Sequence, residues 1–200
     1  RIAKMKGKNI VEKYFHQKDF SIAEIIVLIL AVASAIVAIF IQGGGPIGLP
    51  ALLVCICAFS IIHSKKIKDD EIEQIIKKIK EDNKIPDADY TIEGYELKNT
   101  AVRKRKDGKL ISPDYYVTEI RTSTDGSMIF NVYAINLIDS SVEMTSHSVS
   151  GSGKVTLVEE TVKTSKGPAK MSYLRLDESC TIPVTLNDYK SSQLIESICN

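Results

Sequence analysis

Residues 22–62 contain one acidic residue, Glu24, and neither lysine nor arginine. The first half of this stretch is an apolar run of about 20 residues, the length at which a helix crosses the hydrocarbon core of a bilayer. Gly43, Gly44, Gly45 and Pro46 interrupt it, and a second apolar run follows at once. Lipid offers the backbone no hydrogen-bond partners, so two helices joined by a tight turn are the natural solution. We therefore predict a transmembrane hairpin over residues 21–63, with spans at about 21–41 and 47–63.

Basic residues flank the hairpin and are absent from its turn. The N-terminal segment, residues 1–20, carries Arg1 and five lysines, and Lys65, Lys66 and Lys68 follow the second span. Lysine and arginine concentrate on the cytoplasmic side of membrane proteins. The sequence therefore predicts a multi-pass protein of the cell membrane with both termini in the cytoplasm and the glycine turn outside.

Two features of the hairpin allow more than one interpretation. We expect Glu24 to reach water at the membrane interface; the alternative is a pore or relay role, which acids deeper in a membrane often have. The small-residue pairs Ala31/Ala35 and Ser34/Ala38 permit close approach of helices. They predict either packing within the hairpin or self-association between protomers.

Residues 64–85 are highly charged, yet their isoleucines recur at helical spacing. This period predicts a short amphipathic linker helix. Its isoleucine stripe needs a partner. The candidates are the domain that follows, a second protomer or the membrane surface. If a second protomer covers the stripe, this helix joins the hairpin as a candidate site of homo-oligomerisation.

From residue 86 onward the apolar period changes to two. Turn signals recur about every ten residues, with Asp107-Gly108 and Asp125-Gly126 the strongest, and a phase slip at Glu93-Gly94 is typical of a β-bulge. The pattern predicts an antiparallel β-barrel or sandwich of 7–8 strands over residues 86–200, closed by a C-terminal helix that starts after Thr185. The fold class is thus membrane-anchored α+β, with a cytoplasmic β-rich domain. This order of elements resembles the pleckstrin-homology-like architecture, including its bacterial membrane-anchored versions.

The most conspicuous cluster of charge is a basic hairpin, here called the basic finger. It consists of Arg103, Lys104, Arg105, Lys106 and, across the Asp107-Gly108 turn, Lys109. Pleckstrin-homology domains hold anionic headgroups on a basic early hairpin, so the resemblance implies an anionic lipid or a phosphorylated ligand at these five residues. Near a charged membrane surface each cation contributes about 1 kcal/mol. The alternative is a solvated hairpin whose charges prevent aggregation.

Catalytic and cofactor chemistry finds no support in the sequence. Four cysteines and three histidines are scattered without the spacing of a metal site. His147 lies among serines on a strand, where we expect a surface residue and not a catalytic base. The run 150–153 is glycine-rich, but no helix follows to supply an N-terminus for a phosphate. We therefore expect no enzyme activity, no cofactor and no metal. We also expect no nucleic-acid partner, because the net charge is only +1 and the region after Ile85 is mildly acidic.

The function predicted from these patterns is a non-enzymatic, membrane-tethered β-barrel module for interaction or for ligand or lipid binding. The alternative is a membrane effector, in which nucleotide binding to the barrel drives oligomerisation and the hairpins disrupt the bilayer. In architecture the chain resembles the two-transmembrane, β-strand-rich effectors of bacterial nucleotide-signalling defence.

Overall fold

The structure is a computed structural model. It describes residues 10–41, 44–86, 90–150, 155–176, 180–186 and 189–199, except for the side chains of residues 189 and 190. The chain divides into two compact units. The helical unit is His16–Lys68, and the β-rich unit combines Arg1–Phe15 with Asp69–Asn200.

Residues 10–16 are helical and are called α1 here. The other helices are α2 (Ile22–Phe40), α3 (Gly45–Ser64), α4 (Asp69–Asp82) and α5 (Tyr189–Cys199). The strands are β1 (Thr91–Tyr95), β2 (Arg103–Lys104), β3 (Leu110–Ile111), β4 (Asp114–Thr122), β5 (Met128–Asn136), β6 (Ser141–Val149), β7 (Thr156–Thr164), β8 (Gly167–Arg175) and β9 (Thr181–Val184). The protein is therefore α+β, with helices followed by antiparallel sheets.

The helical unit contains two helices that are long and apolar enough to cross a membrane. Ser21 caps α2 in a capping box, in which its hydroxyl accepts from the backbone N–H of Glu24 and its own N–H donates to the Glu24 carboxylate. Most of the large apolar side chains of both helices are exposed. Such a surface is unfavourable in water and suits contact with lipid or protein.

Small residues bring α2 and α3 together. A Cβ atom added to Gly48 of α3 would lie 2.7 Å from the Ala38 Cβ and from the Ser34 carbonyl oxygen. Only glycine therefore fits here, and the Ser34/Ala38 pair is used for packing within the hairpin. This contact favours the first of the two interpretations of that pair.

The linker helix α4 is shorter than predicted, since α3 ends at Ser64 and a break precedes Asp69. Ile72 and Ile79 are buried, and Ile75 and Ile76 are half-buried. The helix belongs to the β-rich unit. The isoleucine stripe is thus largely covered within the chain itself, which leaves less of it for a second protomer or a membrane.

The described strands form three antiparallel sheets: four-stranded β1-β4-β5-β6, two-stranded β2-β3 and three-stranded β7-β8-β9. The main core lies between the four-stranded and three-stranded sheets. Phe130 of β5, Leu174 of β8 and Ile195 of α5 are each at most 2% exposed within it. A second core, with Val102 and Met171 among its members, supports the base of the basic finger.

The prediction of a closed barrel is wrong for the described strands, because β1 and β9 approach each other without forming a ladder. One backbone hydrogen bond, from the N–H of Thr185 just after β9 to the oxygen of Glu93 in the middle of β1 at 2.8 Å, joins them. Pro183 of β9 has no N–H to donate. A four-stranded and a three-stranded sheet therefore remain separate, and the pleckstrin-homology-like closure predicted from the order of elements is not confirmed.

The predicted bulge at Glu93-Gly94 is also wrong. The β1–β4 register is continuous, with Glu93 opposite Val117 and Gly94 opposite Tyr116. Gly94 has a different role: a Cβ there would lie 2.1 Å from the Pro183 oxygen. The glycine permits the close crossing of β1 and β9, and the apparent phase slip in the sequence marks this crossing.

Candidate functional site

The basic finger is a tight β-hairpin, as its Asp-Gly signal predicts. Arg103 pairs with Ile111 and Lys104 with Leu110. The turn is closed by a hydrogen bond from Arg105 N to the Lys109 oxygen at 2.8 Å. Gly108 has a φ of +87°, a conformation that favours glycine.

The four consecutive cations of the finger alternate in exposure. Arg103 and Arg105 are half-buried, whereas Lys104 and Lys106 are exposed, as is Lys109 after the turn. Successive side chains of an extended chain point to opposite faces. The finger therefore has an arginine face directed at the rest of its unit and a lysine face directed at solvent.

Arg105 is held by three carboxylates. Its guanidinium bonds to Glu73 of α4 and lies 4.0 Å from Asp69 and 3.9 Å from Asp107. Burial lowers the pKa of Arg105, but the Glu73 partner more than offsets this and the pKa is raised. Arg105 is thus a permanently charged structural anchor between the finger and α4.

Arg103 packs on Tyr14 of α1. Its Nη1 donates to the Tyr14 carbonyl oxygen at 3.0 Å, and its guanidinium lies 4.5 Å from the centre of the Tyr14 ring. Such a cation–π contact is stronger where water is excluded, and Tyr14 is fully buried. Both arginines are therefore occupied by partners inside the β-rich unit.

Asp69, the first residue of α4, joins these contacts. It accepts from the Tyr14 hydroxyl at 2.8 Å and from the backbone N–H of Lys106 at 3.1 Å. Burial raises the pKa of Asp69, but these two hydrogen bonds and the positive charges of Arg105 and Arg103 outweigh it, so the pKa is lowered. The finger thus holds the two segments of the β-rich unit that precede and follow residues 16–68 in the chain.

A cavity of about 620 Å³ opens beside the tip of the finger. Lys109 of the finger and Lys170 of β8 lie on its wall, together with Asp107 and Glu159. Apolar side chains, including Tyr95, Leu97 and Met171, also line it. The volume falls within the range of small-molecule sites, and the two lysines are the groups in it that an anion would contact.

A second cavity, of about 530 Å³, lies between α4 and strands β1 and β4. Three of its four cations are paired with acids: Lys80 donates to Glu93 at 2.7 Å, Lys77 lies 4.0 Å from Glu81, and Arg105 pairs with Glu73. These ion pairs leave Lys84 as the one lining cation outside an ion pair among the described residues. In the first cavity neither Lys109 nor Lys170 forms an ion pair within the described residues, so it is the better candidate for an anion.

In the helical unit the expectation that Glu24 reaches water is wrong. Its side chain is fully buried, and its carboxylate lies 2.7 Å from Lys66 Nζ and 3.0 Å from His63 Nδ1. A charge in this setting needs a partner, and the lysine after α3 supplies it. The ion pair joins the start of α2 to the end of α3, which indicates a structural role.

The remaining histidines, cysteines and acids are the side chains that could bind a metal. No group of three of them is placed to hold a metal in the part of the chain that the structure describes. His147 Nε2 lies 3.6 Å from Cys180 Sγ. His147 pairs across the sheet with Phe130, so its neighbours on β5 are apolar. Residues 151–154, which include most of the glycine-rich run, lie outside the described residues.

Sequence reasoning located the finger but missed what surrounds it. Tyr14 and Glu73 are 89 and 32 residues away from the arginines that they contact, and no local pattern indicates such pairs. Lys170 is a solitary lysine on β8 that shares a cavity with Lys109 only through the fold. The one usable signal was alternation, since a period of two already separates the arginines from the lysines.

Comparison with protein-family models, with curated proteins and with solved structures finds no match.

Proposed function

We propose that this protein is a non-enzymatic, membrane-anchored module whose β-rich unit binds anionic phosphate groups through the lysine face of the basic finger. One observation carries the proposal. Lys104, Lys106 and Lys109 are exposed at the tip of one hairpin, and within the described residues none of the three ammonium groups forms an ion pair. Their charge is not used by the fold, whereas that of the arginines beside them is.

The same proposal places the hairpin in the cell membrane, with both termini and the β-rich unit in the cytoplasm. Supporting it are the apolar surfaces of α2 and α3 and the lysines that flank them. On the cytoplasmic side the lysine face would meet the negative surface potential of the inner leaflet, which attracts basic segments over a Debye length of about 8 Å.

The binding test uses the full chain in nanodiscs of neutral lipid. Phosphatidylserine vesicles and soluble ATP are added separately, at low and high ionic strength. The triple variant Lys104→Gln, Lys106→Gln, Lys109→Gln should lose roughly a hundredfold in affinity, from about 1 kcal/mol per cation. Binding to vesicles alone identifies a headgroup surface, and binding to ATP alone identifies a free phosphorylated ligand.

A matched control changes the same net charge elsewhere. Lys78, Lys163 and Lys166 are exposed lysines outside the finger, and their replacement by glutamine should leave binding nearly unchanged. The proposal is wrong if wild type binds neither probe at low ionic strength. It is equally wrong if the control triple weakens binding as much as the finger triple does.

The topology is tested by cysteine labelling after the native cysteines have been replaced by serine. Gly45→Cys at the start of α3 should react with an impermeant reagent on intact cells. Ser197→Cys in α5 should react only after permeabilisation. The reverse pattern would overturn the orientation, and protection at both positions would contradict a hairpin that spans the membrane.

Two hydrogen bonds favour the alternative function, a nucleotide-gated effector that disrupts the bilayer. Arg103 and the Lys106 backbone hold Tyr14 and Asp69, which flank the hairpin in sequence. Ligand on the finger would thus act on the two residues at which the chain leaves the β-rich unit and returns to it. The test is dye release from liposomes that contain the full chain. Dye release that requires added nucleotide supports the effector. If nucleotide binds and no dye is released, the effector is excluded and the binding module remains.

A further inference from the structure

Strand β6 forms one edge of the four-stranded sheet. All nine of its residues, Ser141–Val149, pair in continuous register with β5, so the strand is regular and carries no bulge. No strand of the described residues pairs with its other edge. Alternate backbone N–H and C=O groups along this edge are therefore available to another strand.

This edge lacks the usual protection against pairing. Proteins commonly guard an edge strand with lysine, proline or a bulge, and β6 has none of the three. Its only acid is Glu143, and its only other titratable side chain is His147. The edge strand β7, of the same length, carries Glu159, Glu160 and Lys163. The difference between the two edges marks β6 as the one suited to association.

We propose that the β6 strands of two copies of this chain pair antiparallel about Thr145, which joins two four-stranded sheets into one. A two-fold axis perpendicular to a sheet keeps each side chain on its own face. Residues that face each other across the axis must therefore belong to the same face, so the axis passes beside a single residue. This restricts the pairing to a few registers.

Side-chain complementarity selects among these registers, because an imidazole N–H can donate to a carboxylate whereas two carboxylates repel each other. With Thr145 at the axis, Glu143 of each copy lies opposite His147 of the other, and all nine residues are paired. With Glu143 at the axis, two carboxylates would face each other, which is unfavourable in a cross-strand pair. With Ser146 at the axis, His147 would face Thr145, and both glutamates would lose their partner.

The outward side chains fit the same register. Met144 is 56% exposed, which makes it the most exposed large apolar side chain of the four-stranded sheet. About Thr145 it lies opposite Ser146 of the second copy, and Val142 lies opposite Ser148. Each apolar side chain thus meets a small one, and the joined strands can pack without a steric clash.

The test is disulfide formation between copies of the full chain, with the four native cysteines replaced by serine. Opposite residues of an antiparallel pair have Cα atoms about 4.5–5.5 Å apart, within the range of a disulfide. Thr145→Cys should therefore cross-link on mild oxidation. Glu143→Cys and His147→Cys should cross-link when two singly substituted chains are mixed. Neither should do so alone, since like positions would be offset by four residues, or roughly 13 Å.

Thr161→Cys, at an exposed position of β7, is the matched control and should not cross-link. Cross-linking of Thr161→Cys at the rate of Thr145→Cys would show random collision and overturn the proposal. So would a Thr145→Cys variant that stays uncross-linked. Association through the hairpin or α4 would appear as dimers without the Thr145 cross-link.

A charge exchange tests the register without cysteines. His147→Glu should weaken the dimer by roughly tenfold, because it places two carboxylates opposite each other at two symmetric positions. Adding Glu143→Lys to His147→Glu should restore dimerisation, measured by sedimentation in detergent. A double variant that is as weak as the single one contradicts the pairing of these residues.

Discussion

Tyr14 donates its hydroxyl hydrogen to Asp69 across 55 residues of sequence, at a distance of 2.8 Å. The intervening chain is almost entirely the helical unit, His16–Lys68. The contact therefore closes the β-rich unit around the two points at which the chain leaves it and returns. Asp69 also accepts a hydrogen bond from the backbone N–H of Lys106, so the same carboxylate ties the basic finger to Tyr14.

Replacing Tyr14 with phenylalanine should lower the free energy of unfolding of the β-rich unit by about 1.5 kcal/mol. The ring and its contact with Arg103 remain, but the half-buried carboxylate of Asp69 loses one donor, and hydrogen bonds to charged groups contribute more than neutral ones. Urea unfolding followed by tyrosine circular dichroism measures the change. Tyr90→Phe, at an exposed tyrosine, is the control and should be neutral. Equal effects of the two variants would contradict a special role for Tyr14.

Gly94→Ala should destabilise the β-rich unit by about 3 kcal/mol. The new Cβ would lie 2.1 Å from the Pro183 oxygen, and the atoms it meets are backbone atoms that cannot rotate away. Thermal unfolding of the full chain in detergent provides the measurement. Gly45→Ala is a matched control, because a Cβ at Gly45 meets nothing within 4 Å. An unfolding temperature of Gly94→Ala within error of wild type would show that β1 and β9 do not cross closely.

Acid should destabilise the β-rich unit through Asp69 and Glu119. Burial raises the pKa of Glu119, but the hydrogen bonds from Arg121 at 2.6 Å and Asn131 at 2.8 Å outweigh it and the pKa is lowered. A carboxyl with a lowered folded pKa stabilises the protein above its unfolded pKa, 4.5 for Glu119, and loses this contribution as the pH falls through the folded pKa.

The unfolding temperature should therefore fall as the pH is lowered from about 5. Glu119→Gln should be less stable than wild type at neutral pH and should show a shallower decline, since it cannot take up the proton. Scanning calorimetry at a series of pH values measures both effects. Parallel curves for the variant and wild type would show that Glu119 does not contribute to the acid response.

Glu24→Ala should weaken the helical hairpin by about 3 kcal/mol, because it leaves the ammonium of Lys66 without its carboxylate partner. Lys66→Met should be similarly damaging, and the double variant should recover part of the loss. Titration with a denaturing detergent, followed by far-ultraviolet circular dichroism, gives the four stabilities of the cycle. Strictly additive losses would mean that the two charges do not interact.

Local patterns predicted the elements well. The predicted turns at Asp107-Gly108 and Asp125-Gly126 are confirmed, since they lie between β2 and β3 and between β4 and β5. These features depend on neighbours in sequence. The apolar runs also predicted the two helices to within a few residues, because Glu24 is the only acidic or basic residue between positions 22 and 62.

The pairing of the strands was not predictable in the same way. β1 pairs with β4 and not with β2. β9 forms no ladder of hydrogen bonds with β1, because Pro183 has no backbone N–H to donate. Both facts depend on which surfaces meet after the chain has folded. The same holds for the finger: alternation separates its arginines from its lysines, but only the fold shows that Tyr14 and Glu73 occupy the arginines.

The division of the β-rich unit between Arg1–Phe15 and Asp69–Asn200 has a consequence for biosynthesis. Tyr14 leaves the ribosome before the hairpin, whereas Asp69 and Arg103 leave it afterwards. If the hairpin inserts into the membrane as proposed, Tyr14 cannot contact Asp69 or Arg103 until both spans have been synthesised. Assembly of the finger would then follow insertion, so a chain whose hairpin fails to insert would present an unfinished β-rich unit to cellular proteases.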